Sequence, residues 1–459
     1  MSIDALIRKL EPVLGADGVL RGEQVAERSA GIWRKDKIIA PVIFRPSNTQ
    51  QVATVLQACH AAGQSVITHG GLTGLAGGAI ASATDVVLST ERLNKIENLN
   101  AIDRTLRVQA GVTLQAAQEK AAEHGLMVAL DLGARGSCTL GGNAATNAGG
   151  HQVIRYGMAR ESILGLEVVL ADGTVLNSLN AMLKNNAGYD LKHLFIGSEG
   201  TLGVITRLDL RLRPASLTQE TALLACTDFA QVIRLLNRFD AMLGGTLSAF
   251  EVMWNNFYRL VADPDSPLPN NYPYYILVEA LGGDSANDNN RFVNAIAAAD
   301  ADNELAEVVI AKSGAERTAL WSLRDRVERM LELGPAQVFD VSLPLSTMQA
   351  YVAEVMANLD TSLPGHQSFV FGHVGDGNLH IVCANANGSG VTLELVETAV
   401  YEPLKKVGGS VSGEHGIGLE KKPWLAVSRN TEEIALMQQI KRTLDPQGIL
   451  NPGRIFDIG

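Results

Sequence analysis

Between Gly136 and Gly150 the chain runs Gly-Ser-Cys-Thr-Leu-Gly-Gly-Asn-Ala-Ala-Thr-Asn-Ala-Gly-Gly, with Leu140 as its one large side chain. A hydrophobic core cannot be built from such a run, so its value lies in backbone donors and small polar groups. A second segment, His69 to Gly78, holds five glycines in ten residues. Glycine lets backbone N–H groups come close to a ligand, and successive N–H groups curled around a concavity bind an anion. Thr73 adds a hydroxyl donor. The segment contains neither G-x-G-x-x-G nor G-x-x-x-x-G-K-[ST], so neither a dinucleotide fingerprint nor a P-loop is indicated. Taken alone it is equally well a surface loop. A third piece, Gly197 to Ile205, leads another small-residue loop into a strand. Three such loops point to an extended ligand threaded among them.

Around these loops the pattern mixes helix and strand. Val52, Val55, Leu56 and Cys59 recur at helical spacing, with Asn48 and Gly63 placed to cap that helix. Thr113 to Gly125 reads as a second capped helix. Ser65 to Thr68, Asp85 to Ser89 and Leu106 to Val108 read as strands, and Glu167 to Leu176 as a hairpin around Ala171-Asp172-Gly173. Ile38 to Phe44 carries Pro41 near its centre, which predicts an edge strand. Val204 to Arg213 alternates and ends at Pro214, which marks a boundary. Ala315 to Leu333 predicts one long helix, and Glu432 to Leu444 another. The expected fold class is α+β, with a mostly helical lead-in over 1–35 and domains over 36–215 and 216–420. A C-terminal helical segment, 421–459, is expected to pack back on the first domain.

The net charge of −11 argues against nucleic acid or an anionic membrane as a main partner. The four cysteines, Cys59, Cys138, Cys226 and Cys383, form no CxxC pair, so neither a zinc knuckle nor a redox dithiol is indicated. Charges at Asp4, Arg8, Lys9, Glu11 and Asp17 interrupt any apolar signal region, and no run of about 18 apolar residues suits a transmembrane segment. The expected location is cytoplasmic.

The loop 69–78, the stretch 136–157 and Gly197 to Thr206 together resemble the FAD-binding domain of the vanillyl-alcohol oxidase and p-cresol methylhydroxylase flavoproteins, over about residues 36–215. The resemblance implies a two-part FAD-binding domain followed by an α+β substrate-binding cap. It implies that Gly70, Gly71, Thr73, Gly74 and Gly77 lie along the FAD pyrophosphate. It also implies that Ser137, Thr139, Gly142, Asn143, Thr146, Asn147 and Gly149 line the flavin, and that Glu199, Gly203 and Ile205 close the site. Some relatives attach FAD through histidine, and His69 precedes the cradle. The matching members bind FAD non-covalently, and non-covalent FAD is the expectation.

Phe369 to Val382 holds Asp376-Gly377 between apolar runs, a strong hairpin signal. If those two residues form the turn, Val374 faces Leu379 and His373 faces His380. Directly opposed side chains have Cβ atoms about 4.5–5.5 Å apart, so two imidazoles there can share one ion at about 2.0–2.1 Å from each nitrogen. A wider loop would still bring the pair together. Ser412 to Gly418 then offers Glu414 as a third ligand and His415 as a base. His-His-Glu with open positions suits a catalytic divalent metal, with zinc expected.

Both segments resemble the C-terminal domain of FAD-linked D-2-hydroxy acid dehydrogenases, a group acting on D-lactate, D-2-hydroxyglutarate and glycolate. The resemblance extends through Asp445 to Arg454 and adds Asn451 to the cofactor set. It implies that His373, His380 and Glu414 ligate the metal, that His415 is the catalytic base, and that Arg324 clamps the substrate carboxylate. A planar guanidinium suits that task through two parallel hydrogen bonds. Three positions depart from relatives specific for D-2-hydroxyglutarate. Val338 stands where they have a lysine, Val382 where they have an asparagine, and Glu328 where they have a threonine. These departures lean towards a shorter or less polar acid such as D-lactate, with Arg135 and Lys312 as candidates to compensate.

The expected function is oxidation of a small D-2-hydroxy acid, with hydride passing to FAD and electrons to an external acceptor, an electron-transfer flavoprotein or a quinone. A homodimer is the expected assembly. The alternatives are a flavin oxidase of the same fold, which would make hydrogen peroxide, and a metallohydrolase using the His-His-Glu set.

Overall fold

The computed structural model describes residues 1–31, 37–384 and 393–458. Residues 32–36, where the lead-in was expected to give way to the first domain, lie outside that set. The chain divides into two compact units. One comprises Met1–Gly149, Met158–Ala215 and Glu414–Gly459, and the other Gly150–Gly157 and Ser216–Gly413. Both mix helices with sheets, as the α+β expectation requires.

The first unit holds two sheets. The smaller has the order β1 (Val19–Arg21), β2 (Val42–Phe44), β4 (Val86–Ser89), β3 (Val66–His69). Its β2/β4 and β3/β4 pairs are parallel. The helix Thr49–Ala62 links β2 to β3 and forms where the periodicity places it. Asn48 Oδ1 accepts from the Gln51 N–H, and Gly63 ends the helix in the left-handed region. Val52, Val55, Leu56 and Cys59 on one face are fully buried. The N-terminal helix Ile3–Leu14 joins the same core through Leu6, Leu10 and Leu14, so the lead-in is an integral layer. The edge-strand expectation for 38–44 does not hold. The strand begins after Pro41 and lies between β1 and β4, and Pro41, standing outside the ladder, removes no hydrogen bond from it.

The second sheet runs β5 (Ile96–Asn100), β6 (Thr105–Gln109), β10 (Val204–Pro214), β8 (Ile163–Val169), β9 (Val175–Ser178), with β7 (Leu126–Val128) also pairing β10. Its pairs are antiparallel. Leu106, Val108, Leu166, Val168, Leu208 and Leu210 fill its core. The C-terminal helix Thr431–Leu444 is anchored to this unit through Lys441. Its buried ammonium donates to the carbonyls of Thr201 and Leu450 and pairs with Asp445.

The second unit is built on a seven-stranded antiparallel sheet of order β14 (Glu307–Ile310), β11 (Thr218–Cys226), β13 (Tyr274–Gly282), β12 (Leu247–Trp254), β16 (Gln367–Gly372), β17 (Asn378–Ala384), β15 (Ala336–Ser342). The helices Phe229–Met242 and Asp288–Ala301 meet through the stacked rings of Phe239 and Phe292. The short helix Val153–Tyr156 belongs here, because Arg155 donates to the carbonyls of Thr246 and Leu281. The expected helix 315–333 is two pieces, Gly314–Asp325 and a 3₁₀ stretch Val327–Leu333, broken at Arg326 with ψ 42°. Tertiary contacts decide this break: Arg326 donates to the Val261 carbonyl, and Arg329 pairs with Asp263. Among the described residues no helix is long and apolar enough to cross a membrane.

Candidate active site

In the first unit β3 ends at His69, whose Nε2 donates to the Ala79 carbonyl at 2.8 Å and so ties the start of the glycine loop to its end. Burial pushes the imidazole pKa down to about 4, so His69 is a neutral structural clip at pH 7. Gly70 and Gly71 press against the second small-residue stretch. A Cβ on Gly71 would collide with the Ser137 carbonyl and stand 2.8 Å from Cys138 Cα, and one on Gly70 would stand 2.8 Å from Thr139 Oγ1. Close backbone approach is what these two glycines provide. Past them Leu72 adopts φ 57°, while Gly77 takes φ 73° beside Glu420.

The stretch 140–146 forms a two-turn helix. Thr139 precedes it, makes no side-chain cap bond, and leaves its Oγ1 buried without a partner, as does Thr68 on β3. Buried hydroxyls of this kind call for a polar ligand. Asn143 is buried, with Nδ2 on Cys138 Sγ. Asn147 closes the helix at φ 50° and accepts from the Arg160 N–H at 3.0 Å. Thr146 donates back to the Gly142 carbonyl, and Ser137 to the Ala134 carbonyl. The third loop joins them, since the N–H groups of Gly197 and Glu199 donate to the carbonyls of Ala144 and Ala145.

Glu199 and Asn451 lock this assembly. The Glu199 carboxylate accepts from the N–H of Ile417 at 2.7 Å and of Gly418 at 2.8 Å. Burial nevertheless raises its carboxyl above the usual range. Asn451 accepts from the Thr68 N–H at 2.8 Å and donates to the Glu199 carbonyl at 2.6 Å. Leu72, Asn147, Glu199 and Asn451 all have positive φ, and such non-glycine residues gather where a ligand site over-determines the backbone. Gly203 stands just before β10 and packs against Val168, and Ile205, on β10, lies in the core of that sheet.

In the second unit the hairpin is wider than a two-residue turn. Phe371, not His373, pairs with His380, and residues 374–376 make a 3₁₀ turn closed by Gly377 at φ 84°. The two histidines still meet, with ring centroids 5.3 Å apart and edge to face. Both are buried. His373 donates from Nδ1 to Glu251 Oε1 at 2.6 Å, and Arg324 donates from Nε to Glu251 Oε2 at 2.8 Å. Arg324 sits in the last turn of Gly314–Asp325 with its guanidinium 4.6 Å over the Phe371 ring. Burial opposes ionisation of Glu251, but His373 and Arg324 hold its carboxyl well below the usual range. His151 lies edge-on to His373 at 5.2 Å and to Trp321 at 5.0 Å. Ligand atoms of His151, Glu251 and His373 all fall within 4.8 Å of one another.

His380 faces Asp340 across the β15/β17 ladder, and Val382 faces Val338. Asp340 is fully buried and accepts from Asn378 Nδ2 at 2.7 Å. Gly413 packs here, since a Cβ on it would collide with Asn378 and stand 2.9 Å from Asp340 Oδ1. Glu414 and His415 follow next in the chain and group with the first unit. Glu328 and Lys312 are exposed. Arg135 pairs with Asp131 in the first unit.

The sequence reading missed Glu251, His151 and Asp340. A signal existed for Glu251: it is the lone charge in the apolar run Ala249-Phe250-Glu251-Val252-Met253, and a buried acid needs a partner.

Both units have counterparts among known proteins. Residues 40–178 match the family described as FAD binding domain, and residues 217–455 match FAD linked oxidases, C-terminal domain. The chain is 40% identical over 425 residues to a D-2-hydroxyglutarate dehydrogenase of Xanthomonas citri pv. viticola, covering 90% of this chain and 89% of that one. It is 40% identical over 419 residues to the mitochondrial D-2-hydroxyglutarate dehydrogenase of Bos taurus, covering 90% and 76%. The fold is shared with p-cresol methylhydroxylase, with TM-score 0.77, 16% identity and coverage of 99% and 97%. It is also shared with alkyldihydroxyacetonephosphate synthase, with TM-score 0.76, 17% identity and coverage of 98% and 85%. The chain therefore belongs to the FAD-linked oxidases, the family of the D-2-hydroxyglutarate dehydrogenases to which it is 40% identical.

Proposed function

We propose that this enzyme oxidises a D-2-hydroxy acid to the 2-oxo acid and passes the electrons to an external acceptor, an electron-transfer flavoprotein or a quinone. The observation that carries the reading is the buried Glu251 carboxylate holding His373 on one oxygen and Arg324 on the other. A histidine whose Nδ1–H is committed to a carboxylate offers Nε2 to a metal, the usual arrangement around metal-bound imidazole. In this reading His373, His380 and Glu414 hold a divalent ion, with zinc as the assignment. Gly413 sits against Asp340 and Asn378 at the head of β17, and Glu414 is one residue further, about 3.8 Å along the chain.

Such an ion would supply Lewis acidity to the substrate hydroxyl and lower its pKa. Among the described residues Arg324 has Glu251 as its hydrogen-bond partner, through Nε. Nη1 and Nη2 are then the groups assigned to the substrate carboxylate. His415 takes the hydroxyl proton as general base. FAD bound along the glycine loops of the first unit would supply the hydride acceptor for the Cα hydrogen, chemistry that is the cofactor's own. The cradle in the first unit would hold that cofactor, and burial of His69 with its Nε2 on the Ala79 carbonyl supports the non-covalent reading. Four buried free cysteines suit a reducing compartment such as the cytoplasm.

The face of β17 that carries His380 continues into Val382, flanked by Val338 and Phe369 on the neighbouring strands. This apolar wall supports a short or apolar acid such as D-lactate over a dicarboxylate. The test is anaerobic mixing of the yellow protein with a panel of D- and L-2-hydroxy acids. Bleaching by D-lactate and its apolar homologues, with L-isomers inert, is expected. A flavin that no member bleaches would end the reading. Hydrogen peroxide formed stoichiometrically in air would assign an oxidase instead.

A further inference from the structure

We propose that Glu251 is a positioning residue: one buried carboxylate sets both the metal-facing histidine and the substrate-carboxylate clamp. The inference rests on the function proposed above and extends it to a residue outside the expected site. The β12/β16 ladder pairs Val252 with Gly372 and Met253 with Phe371. Continuing that antiparallel register by one residue brings Glu251 opposite His373. Residues directly opposed in a ladder share a face, and the 2.6 Å bond from Nδ1 to Oε1 follows from that placement. The second oxygen reaches a different element, the helix end carrying Arg324, at 2.8 Å.

The chemistry of each bond is distinct. Donation from Nδ1 selects the tautomer whose Nε2 lone pair faces an ion. Donation from Nε fixes the guanidinium plane over Phe371, so the remaining fork is pre-aimed. Glu251 is fully buried and Arg324 nearly so. A buried ion pair is weak evidence of stability, since apolar residues of similar volume do as well. Its presence as the one charge in its strand is accounted for by orientation of two functional groups. Because both bonds share one carboxylate, disturbing it misplaces ligand and clamp together.

The test compares Glu251→Gln with wild type, both flavin-loaded. The amide offers one acceptor oxygen and turns an N–H₂ towards the other donor, so it cannot hold both partners. Zn²⁺ affinity, read by competition with a chromophoric chelator, is expected to fall about 10–100-fold. KM for the D-2-hydroxy acid is expected to stay raised when Zn²⁺ is saturating. In the Arg324→Met background the KM penalty of Glu251→Gln is expected to vanish, because the clamp it positions is gone. Additive penalties, or unchanged Zn²⁺ affinity in Glu251→Gln, would overturn the positioning role. Wild type that takes up no Zn²⁺ would defeat the metal reading itself.

Should Glu251→Gln not fold, ¹⁵N-histidine NMR of Zn²⁺-loaded wild type decides. A slowly exchanging, strongly deshielded Nδ1–H is expected for His373. A His373 coordinated through Nδ1 would refute the proposal.

Discussion

Glu251 and His373 stand 122 positions apart in the chain and share a 2.6 Å hydrogen bond in a fully buried setting. The bond joins the middle of one strand to the residue just past the end of its neighbour. It places a histidine of the glycine-rich hairpin against a charge whose partner no local pattern announces.

If His415 is the base, replacing it with alanine removes proton acceptance and leaves the Glu251 network untouched. Turnover is expected to fall about 10²–10⁴-fold, with the flavin spectrum and Zn²⁺ content unchanged. Steady-state assays beside absorption spectra and metal analysis check this. A rate within a few-fold of wild type would remove His415 from the role.

Gly71→Ala puts a methyl into the Ser137 carbonyl, a contact between two backbones that neither loop can relieve by moving a side chain. The variant is expected to purify with little flavin, read as the ratio of absorbance near 450 nm to that at 280 nm. Gly283→Ala in the second unit, outside the cofactor loops and with nothing within 4 Å of an added Cβ, is the control and should retain colour.

His69 gives a pH signature. Its pKa is pushed from 6.5 down to about 4 by burial. Between those values the unfolded chain binds more protons than the folded one, so stability drops as pH falls through that window. The loss attributable to His69 approaches about 3 kcal/mol near pH 4. His69→Gln keeps a donor for the Ala79 carbonyl and does not titrate. Its urea midpoint is expected to fall less than that of wild type between pH 7 and pH 5. Parallel curves for the two proteins would refute the assignment.

Substrate choice is expected to follow the Val338/Val382 pair. Introducing Val338→Lys with Val382→Asn should raise kcat/KM for D-2-hydroxyglutarate relative to D-lactate by about tenfold or more, the yield of one charge-assisted hydrogen bond. Competition between the two acids, followed by product analysis, measures that ratio. An unchanged ratio would place the selectivity elsewhere.

Short-range features were legible from residue types. Asn48, Gly63 and Thr113 cap helices within three or four positions of the groups they serve. The glycine loops declare themselves because small side chains cannot form a core. The pairing of His373 with His380 was anticipated, although through the wrong register. Gly377 in the left-handed region and the 3₁₀ turn add residues that Asp-Gly alone does not reveal.

Amino-acid order alone therefore determined the glycine loops, the helix ends and the clustering of histidines with glycines, because each depends on neighbours a few residues away. Strand order decided the rest. Pro41 lies outside a ladder that is interior to its sheet, and the long Arg-rich helix breaks where Arg326 and Arg329 bind the 260–263 segment. Glu251 finds Arg324 across 73 positions and His373 across 122. Partners so distant meet only when the sheet assembles, and a buried charge shows its purpose only once that assembly has chosen its neighbours.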